Sequence, residues 1–317
     1  MPRAFEHTCD GSSEDDRRHS NRPLLASLRA CHSNGMAHPL YLVPVAFLIL
    51  FLLERLFPLR RAKSRLGARL WVNAVVSSLA IAVALTVVRP VATALLEFVA
   101  EKEWSLTKIF SENSVVQAGL AFLLMDLSFY YWHRANHAWP LLWRFHNTHH
   151  VDDDLDVSTA VRFHFVEVGL SAGFRALQVT LIGGAPWVFV AYETVFQLNT
   201  LFQHSNLRLP IAVERVLVLV LVTPRMHGIH HSKRIDETNS NWSSVFTWWD
   251  RVHGTIRLNV PQSVIDIGIA GYSLPGDNTV AAVLGMPFRK QRHYWRDAED
   301  KEARARLDIG MRARLVE

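Results

Sequence analysis

Cysteine is scarce in this 317-residue chain, and the two that occur, Cys9 and Cys31, both lie in its polar N-terminal stretch. Two cysteines there give no disulfide framework, and they exclude a metal site built from thiolates. Phosphate-binding loops, dinucleotide-binding glycine patterns, haem-attachment motifs and internal repeats are also missing from the sequence. Any chemistry must therefore come from other side chains.

Charged residues are missing from long stretches of the chain, although the formal net charge is +5 and half of all residues are apolar. Several apolar runs are about 19 residues long, enough to cross a bilayer core of about 30 Å at 1.5 Å per residue. Basic residues flank these runs, as in the cytoplasmic loops of membrane proteins, so we expect no nucleic-acid partner. The sequence predicts an all-α, integral membrane helical bundle.

The apolar runs predict about four to five membrane crossings. They cover residues 39–57, 70–88, 114–132, 165–182 and 185–203. The loop after the first run, residues 59–69, is strongly basic and is expected in the cytoplasm. Arg89-Pro90 is expected to break the second helix. Counting crossings from the basic loop predicts a helical cap on the cytoplasmic face.

The chain outside these runs predicts two further regions. Residues 1–38 mix acidic residues and arginines with serine and asparagine and show no apolar period, which predicts a disordered tail. Residues 39–260 are expected to form a membrane-embedded catalytic domain. Residues 261–317 are expected to form a cytoplasmic tail, whose arginine-rich end from about Arg289 predicts an amphipathic helix that is either solvated or a docking surface.

Histidines gather in three short motifs within the predicted cap. HRANH, HNTHH and HGIHH, at 133–137, 146–150 and 227–231, hold eight of the sixteen histidines. A single HxxxH pair is usually an ordinary surface or core feature, but residues at i, i+3 and i+4 share a helix face and three such motifs favour a metal centre. One first-row metal rarely takes more than about six ligands, so eight imidazoles predict two ions. With His204 added, the predicted ligands are His133, His137, His146, His149, His150, His204, His227, His230 and His231.

Acidic residues near these motifs are candidates for supporting roles. Asp126 lies two turns before His133 inside an apolar segment, and we predict that it orients a ligand histidine, with a helix-packing hydrogen bond as the alternative. His164 and Glu167 are either site residues or ordinary interfacial residues. The acids at 152–154 either steady the imidazoles of the second motif or are simply solvated.

A polar stripe along another apolar run ends at His204. Glu193 and Gln197 precede that histidine at helical spacing, so Glu193 is a catalytic candidate, although it could instead pair with Arg175 on the preceding helix. Gln203, adjacent to His204, is the remaining catalytic candidate. The stripe is expected to end on the cytoplasmic side, where the three motifs lie.

The histidine motifs resemble those of the sterol desaturase and fatty acid hydroxylase superfamily of membrane di-iron oxygenases. The resemblance rests on HRANH after Asp126 and Tyr131-Trp132, on HNTHH, on NTLFQH at 199–204 and on TPRMHGIHH at 223–231. It covers about residues 40–256. Two departures, Phe165 where the family often has proline and His253 where it often has an aromatic residue, leave the subfamily and substrate open.

The resemblance implies two iron ions, molecular oxygen, a lipid substrate and an external electron donor. The lipid would be a fatty acyl chain, a sterol or a carotenoid, and the donor a ferredoxin or cytochrome-like protein with its reductase. The reaction would be hydroxylation or desaturation of an unactivated C–H bond, and the sequence does not separate the two. A membrane metal transporter, a catalytically inactive lipid-binding relative and a zinc-dependent hydrolase of the same fold are the alternatives.

Overall fold

The computed structural model describes residues 37–295, and within that range the chain forms helices, turns and loops with isolated β-bridges and no strand. The main helices are α1 Ala37–Leu56, α2 Leu66–Glu101, α3 Ser114–Ala138, α4 Pro140–His150, α5 Phe165–Ile182, α6 Pro186–His204, α7 Ile211–Leu217 and α8 Pro224–His230. Three short helices follow: α9 Ile235–Thr238, α10 Trp248–Val252 and α11 Val280–Gly285. The all-α prediction is confirmed.

Three of these helices are long and apolar enough to cross a membrane: α2, α3 and α5. The chain is a membrane protein, and α1 and α6 remain predictions as further crossings. The chain divides into two compact units after Val45, and the described part of the first unit is only the first half of α1. The predicted disordered tail lies outside the described residues except at Ala37 and His38, which begin α1.

The predicted break at Arg89-Pro90 is wrong. Helix α2 runs through this dipeptide for 36 residues. Proline lacks a backbone N–H, and its ring needs room beside the carbonyl four residues earlier. A five-residue π-helical segment, Ala84–Val88, immediately precedes the dipeptide and widens the turn there. The proline is therefore accommodated as the second residue of the α-helical segment that follows.

An apolar core among α2, α3, α5 and α6 sets the positions of the helix ends. Met125, Val179 and Tyr192 are almost completely buried in it. The ring of Phe129 packs 4.3 Å from that of Phe196 on α6, centroid to centroid. Burying one large apolar side chain contributes about 1.5–3 kcal/mol. This packing holds the C-terminal ends of α3 and α6, which carry histidines, at the same end of the bundle.

A buried ion-pair cluster connects α2 to the loop after α4. The Arg69 guanidinium donates to Asp152 at 2.8 and 2.9 Å and to Asp156 at 2.6 and 2.9 Å. Burial acts to raise the pKa of Asp156, but the Arg69 charge outweighs it and holds the pKa below its usual range. Asp154 accepts hydrogen bonds from the backbone of the basic loop. These acids therefore anchor α2 and that loop. Asp152 is buried and pairs with Arg69, so both expectations, that it is solvated and that it steadies imidazoles, are wrong for this residue.

Residues after 260 pack on the same body. Ile269, Tyr272 and Met286 share an apolar core with Val76 of α2 and Trp143 of α4. Residues 289–295 are not helical, and the rest of the predicted amphipathic helix lies outside the described residues. The domain boundary at residue 260 remains a prediction.

Candidate metal centre

The nine histidines predicted as ligands converge at one end of α3 and α6. Eight of them form two groups of four, in each of which one nitrogen from every ring lies within 4.8 Å of the others. The members of the first group, the open set, are His133, His137, His150 and His230. The members of the second group, the closed set, are His149, His204, His227 and His231.

The second and third motifs supply ligands to both sets. Adjacent residues on a helix point about 100° apart, so His149 and His150 at the end of α4 face different sets. His230 and His231 do the same at the end of α8. Both histidines of HRANH lie four residues apart on α3 and join the open set. The sequence predicts that the histidines of each motif face one point. In the structure, the second and third motifs each supply histidines to both sets.

The closed set is fully buried, with its Nε2 atoms at the spacing of ligands on one ion. Nε2 of His204 lies 3.0 Å from that of His149 and 2.9 Å from that of His227. Nε2 of His227 lies 3.1 Å from that of His231. Metal–imidazole bonds are about 2.1 Å long, so neighbouring ligands are about 3.0 to 3.4 Å apart. The four nitrogens therefore surround a space that fits one metal ion.

Two members of the closed set point lone pairs at each other. Nδ1 of His149 donates to the Arg162 carbonyl at 3.2 Å, and Nδ1 of His204 to the Thr200 carbonyl at 2.7 Å. A carbonyl only accepts, so each Nε2 is left as an acceptor. Burial, reinforced by His204, lowers the pKa of His149 well below its usual value, so a second proton is absent at neutral pH. Two acceptors 3.0 Å apart need a cation between them.

The open set leaves more nitrogen atoms without a partner. Both ring nitrogens of His137 and His150, and Nε2 of His230, are buried and make no hydrogen bond. His133 and His230 donate through Nδ1 to backbone carbonyls at 2.9 and 2.8 Å. An unsatisfied buried polar atom costs about 1–3 kcal/mol. The concentration of such atoms at one point indicates that this set also fits a metal ion.

His146 lies beside both sets but belongs to neither group of four. Its ring centroid is 4.9 Å from that of His137 and 5.1 Å from that of His150. Nδ1 of His146 donates to Glu167 Oε1 at 2.7 Å, and its buried Nε2 makes no hydrogen bond. Glu167 is thus the carboxylate that orients a histidine of this centre, the role that the sequence had suggested for Asp126.

The prediction that Asp126 orients a ligand histidine is wrong. Asp126 Oδ2 accepts hydrogen bonds from Trp249 Nε1 at 2.7 Å and from the backbone N–H of Phe246 at 3.0 Å. Seven residues along a helix correspond to about 10 Å, too far for contact with the ring of His133. Asp126 holds the segment that follows Trp242, as in the packing alternative.

Glu193, another catalytic candidate, has an ion-pair partner on the preceding helix. Arg175 lies 2.5 Å from Glu193, so the ion-pair alternative describes Glu193. Gln203 is buried, and its Oε1 makes no hydrogen bond. Its role remains a prediction. His164 caps α5 by accepting from the Val166 N–H at 3.2 Å.

A cavity of about 270 Å³ adjoins the open set. Trp242 and His137 form part of its wall, with their ring centroids 4.5 Å apart. The carbonyl of Trp242 also accepts the hydrogen bond from His133. The open set therefore borders a space large enough for another molecule.

Comparison with known proteins agrees with this geometry. The family model for fatty acid hydroxylase matches residues 118–255. An ornithine lipid hydroxylase from Rhizobium tropici is 31% identical over 175 residues, 55% of this chain and 51% of that protein. Human alkylglycerol monooxygenase is 31% identical over 137 residues, 43% of this chain and 30% of that protein. Human cholesterol 25-hydroxylase is 31% identical over 139 residues, 43% of this chain and 49% of that protein.

The chain thus spans about half or less of the length of these relatives. No solved structure matches it. The matched segment contains all nine candidate ligands as well as Asp126, Glu167 and Trp242. The resemblance noted in the histidine motifs is confirmed: residues 118–255 of this chain match the fatty acid hydroxylase family model, and the relatives that match are named as hydroxylases and monooxygenases.

Proposed function

We propose that the protein is a membrane-bound, non-haem di-iron oxidoreductase that uses O2 to hydroxylate or desaturate an unactivated C–H bond of a lipid. The observation that carries this proposal is the pair of four-histidine sets, with imidazoles oriented by carbonyl groups and acceptor nitrogens facing inward. The nine predicted ligands, His146 included, would hold the ions.

The donor set is compatible with iron, and the choice of iron rests on the family resemblance of the histidine motifs rather than on the donors alone. Imidazole suits iron, zinc, copper and nickel, and the two sets contain neither thiolate nor carboxylate. Two iron ions bound there would supply the O2 activation that an unactivated C–H bond requires. The protein's own part is to keep the imidazoles neutral, to fix their tautomers and to exclude bulk water from the closed set.

The surroundings of the open set favour a lipid substrate. Helix α3, which carries His133 and His137, is itself a candidate membrane span. The cavity beside His137 lies at the end of this helix, within reach of a lipid in the bilayer. The relatives are named for ornithine lipid, alkylglycerol and cholesterol, which are all lipids.

The proposal also includes the orientation of the protein in the membrane and the kind of protein that donates electrons to it. The basic loop of residues 59–69 supports a cytoplasmic position for the histidine-bearing end, because Asp154 of the α4 loop accepts hydrogen bonds from Lys63 and Ser64. A cytoplasmic ferredoxin or cytochrome-like protein would then deliver the electrons that O2 reduction consumes.

Lipid profiling of cells with and without the gene tests the reaction. We expect a hydroxylated or unsaturated lipid only with the intact protein, and none with His149→Ala. His293→Ala, which changes an exposed histidine outside both sets, is the matched control and should retain the product. Purified protein should contain about two iron ions per chain. Product formation by His149→Ala would contradict the site, and zinc in place of iron would favour the hydrolase alternative.

A further inference from the structure

The cavity beside the open set carries one permanently charged side chain, Arg134, in a largely apolar lining. Its wall is formed by Arg134, His137, Ala138, Asn239, Trp242 and Thr255. Arg134 and Asn239 are exposed and lie at the mouth, whereas Trp242 is only 4% exposed and lies at the floor. One side of the cavity is therefore a metal-ligand histidine, and its entrance carries a guanidinium.

Arg134 has no carboxylate partner in the described part of the chain. Other arginines near the bundle do, such as Arg175 with Glu193 and Arg257 with Asp236. Asp250 is the carboxylate behind the Thr255 side of the cavity, and its oxygens already accept from two backbone N–H groups and from the Thr255 hydroxyl. Arg134 also interacts with the Tyr130 hydroxyl. Its remaining guanidinium donors and the Asn239 amide are in the cavity wall, where an incoming anion would meet them.

Exposed apolar and aromatic side chains lie close in sequence to residues of the cavity wall. Tyr131, Trp139 and Val252 are 50%, 62% and 77% exposed. Tyr131 and Trp139 lie at the C-terminal end of a candidate membrane span, where Trp and Tyr are enriched at the bilayer surface. With α3 crossing a bilayer, this end of the helix would lie at the depth of lipid headgroups, beside exposed side chains that favour contact with acyl chains.

The volume limits what the cavity holds. Sites for drug-sized ligands have volumes of about 300–1,000 Å³, and this cavity, at about 270 Å³, lies just below that range. That is the size of a headgroup and too small for a whole lipid. We propose that this cavity binds the anionic headgroup of the lipid substrate, a phosphate or a carboxylate, through Arg134 and Asn239 while the chains remain in the bilayer. This inference rests on the proposed function in calling the lipid a substrate, but binding of the headgroup can be measured without any reaction.

Binding without O2 or reductant tests the inference. Full-length protein in neutral detergent would be dialysed to equilibrium against oleoyl lysophosphatidate, oleate or oleyl alcohol, three probes that differ in headgroup charge. We expect at least one anionic probe to bind more tightly than oleyl alcohol, and the tighter of the two identifies phosphate or carboxylate. Arg134→Ala should weaken that binding about tenfold to a hundredfold, as expected for losing a charged hydrogen bond, and leave oleyl alcohol unchanged. Arg134→Lys should retain part of it.

Arg144→Ala is the matched control, since Arg144 lies on α4 and is not part of the cavity wall. Metal content near two ions per chain shows that each variant is folded. Equal binding of the three probes, or wild-type binding by Arg134→Ala, overturns the inference while leaving lipid oxidation intact. Arg134-dependent binding in a protein that oxidises no lipid instead sustains the anion site and overturns the proposed function.

Discussion

The two histidine sets are built from the same residue type and differ in what surrounds them. The closed set is buried at all four positions, and its nitrogens contact one another at about 3 Å. The open set has two half-buried members, five nitrogens without partners and a cavity at its side. An ion in the closed set would be held rigidly and kept dry, whereas one in the open set would be reachable. Under the proposed function, the difference favours the open set as the one that the substrate reaches.

Removing one candidate ligand from each set is the strongest test of whether the two sets bind separate ions. We expect His137→Ala and His149→Ala each to lower product formation at least a hundredfold, since a di-iron reaction needs both ions. Each variant should retain about one ion per chain, as measured by elemental analysis. Loss of both ions from either variant would show that the sets are one site rather than two.

Replacing Glu167, the carboxylate beside His146, tests whether His146 contributes to metal binding in one set or in both. Glu167→Gln keeps an acceptor but removes the charge that orients the ring, and such changes typically lower metal affinity tenfold to a hundredfold. Competition with a chelator would measure the loss for each ion. Glu214→Gln, which alters a buried glutamate paired with Arg225, is the control and should have no effect on metal content. A Glu167→Gln protein with unchanged affinity would remove His146 from the centre.

The histidines that converge in the structure could be predicted from the sequence because imidazole is a local property of a residue and its spacing on a helix is readable. The groups that orient the rings could not, because most of them are backbone carbonyls, such as those of Arg162 and Trp242, and every residue has a carbonyl. Asp126 was misassigned for a related reason. Helical periodicity gives the face of the helix on which a side chain lies, but it does not give the groups on other elements that this side chain contacts.

The fold was predicted to a similar extent. Long apolar runs set the positions of α2, α3 and α5, because crossing a bilayer requires that length and composition. The continuity of α2 across Pro90 could not be predicted, since a π-helical turn depends on packing and has no simple sequence signature. The division of His149-His150 and His230-His231 between two sets likewise depends on how α4 and α8 are placed.

Asp156 tests whether the closed set depends on the surrounding ion-pair cluster. Its carboxylate pairs with Arg69 and Arg55 and caps the turn that leads to Arg162, whose carbonyl orients His149. We expect Asp156→Asn to lower the free energy of unfolding by about 3 kcal/mol, as when one partner of a buried ion pair is removed. Metal loss should begin with the closed set. Because the pKa of Asp156 is lowered, its contribution is present above the unfolded value of about 4 and is lost as pH falls below it.

Asp156→Asn and wild-type protein should therefore differ in chemical denaturation at pH 7 and converge in acid. Equal stability at pH 7 would show that Arg69 is held by Asp152 alone. If Asp156→Asn instead lost the ion of the open set first, the ion-pair cluster would support the open set rather than the closed set.

The smallest effect is expected at Asp126. Asp126→Asn weakens the hydrogen bonds to Trp249 and Phe246, which should lower the free energy of unfolding by about 1–3 kcal/mol. The held segment follows Trp242, which contacts three rings of the open set. Any change in metal affinity should therefore be a few-fold and confined to that set. Complete loss of an ion from Asp126→Asn would instead restore the orienting role that its position two turns before His133 first suggested, since only a direct contact with a ligand would make one carboxylate that important.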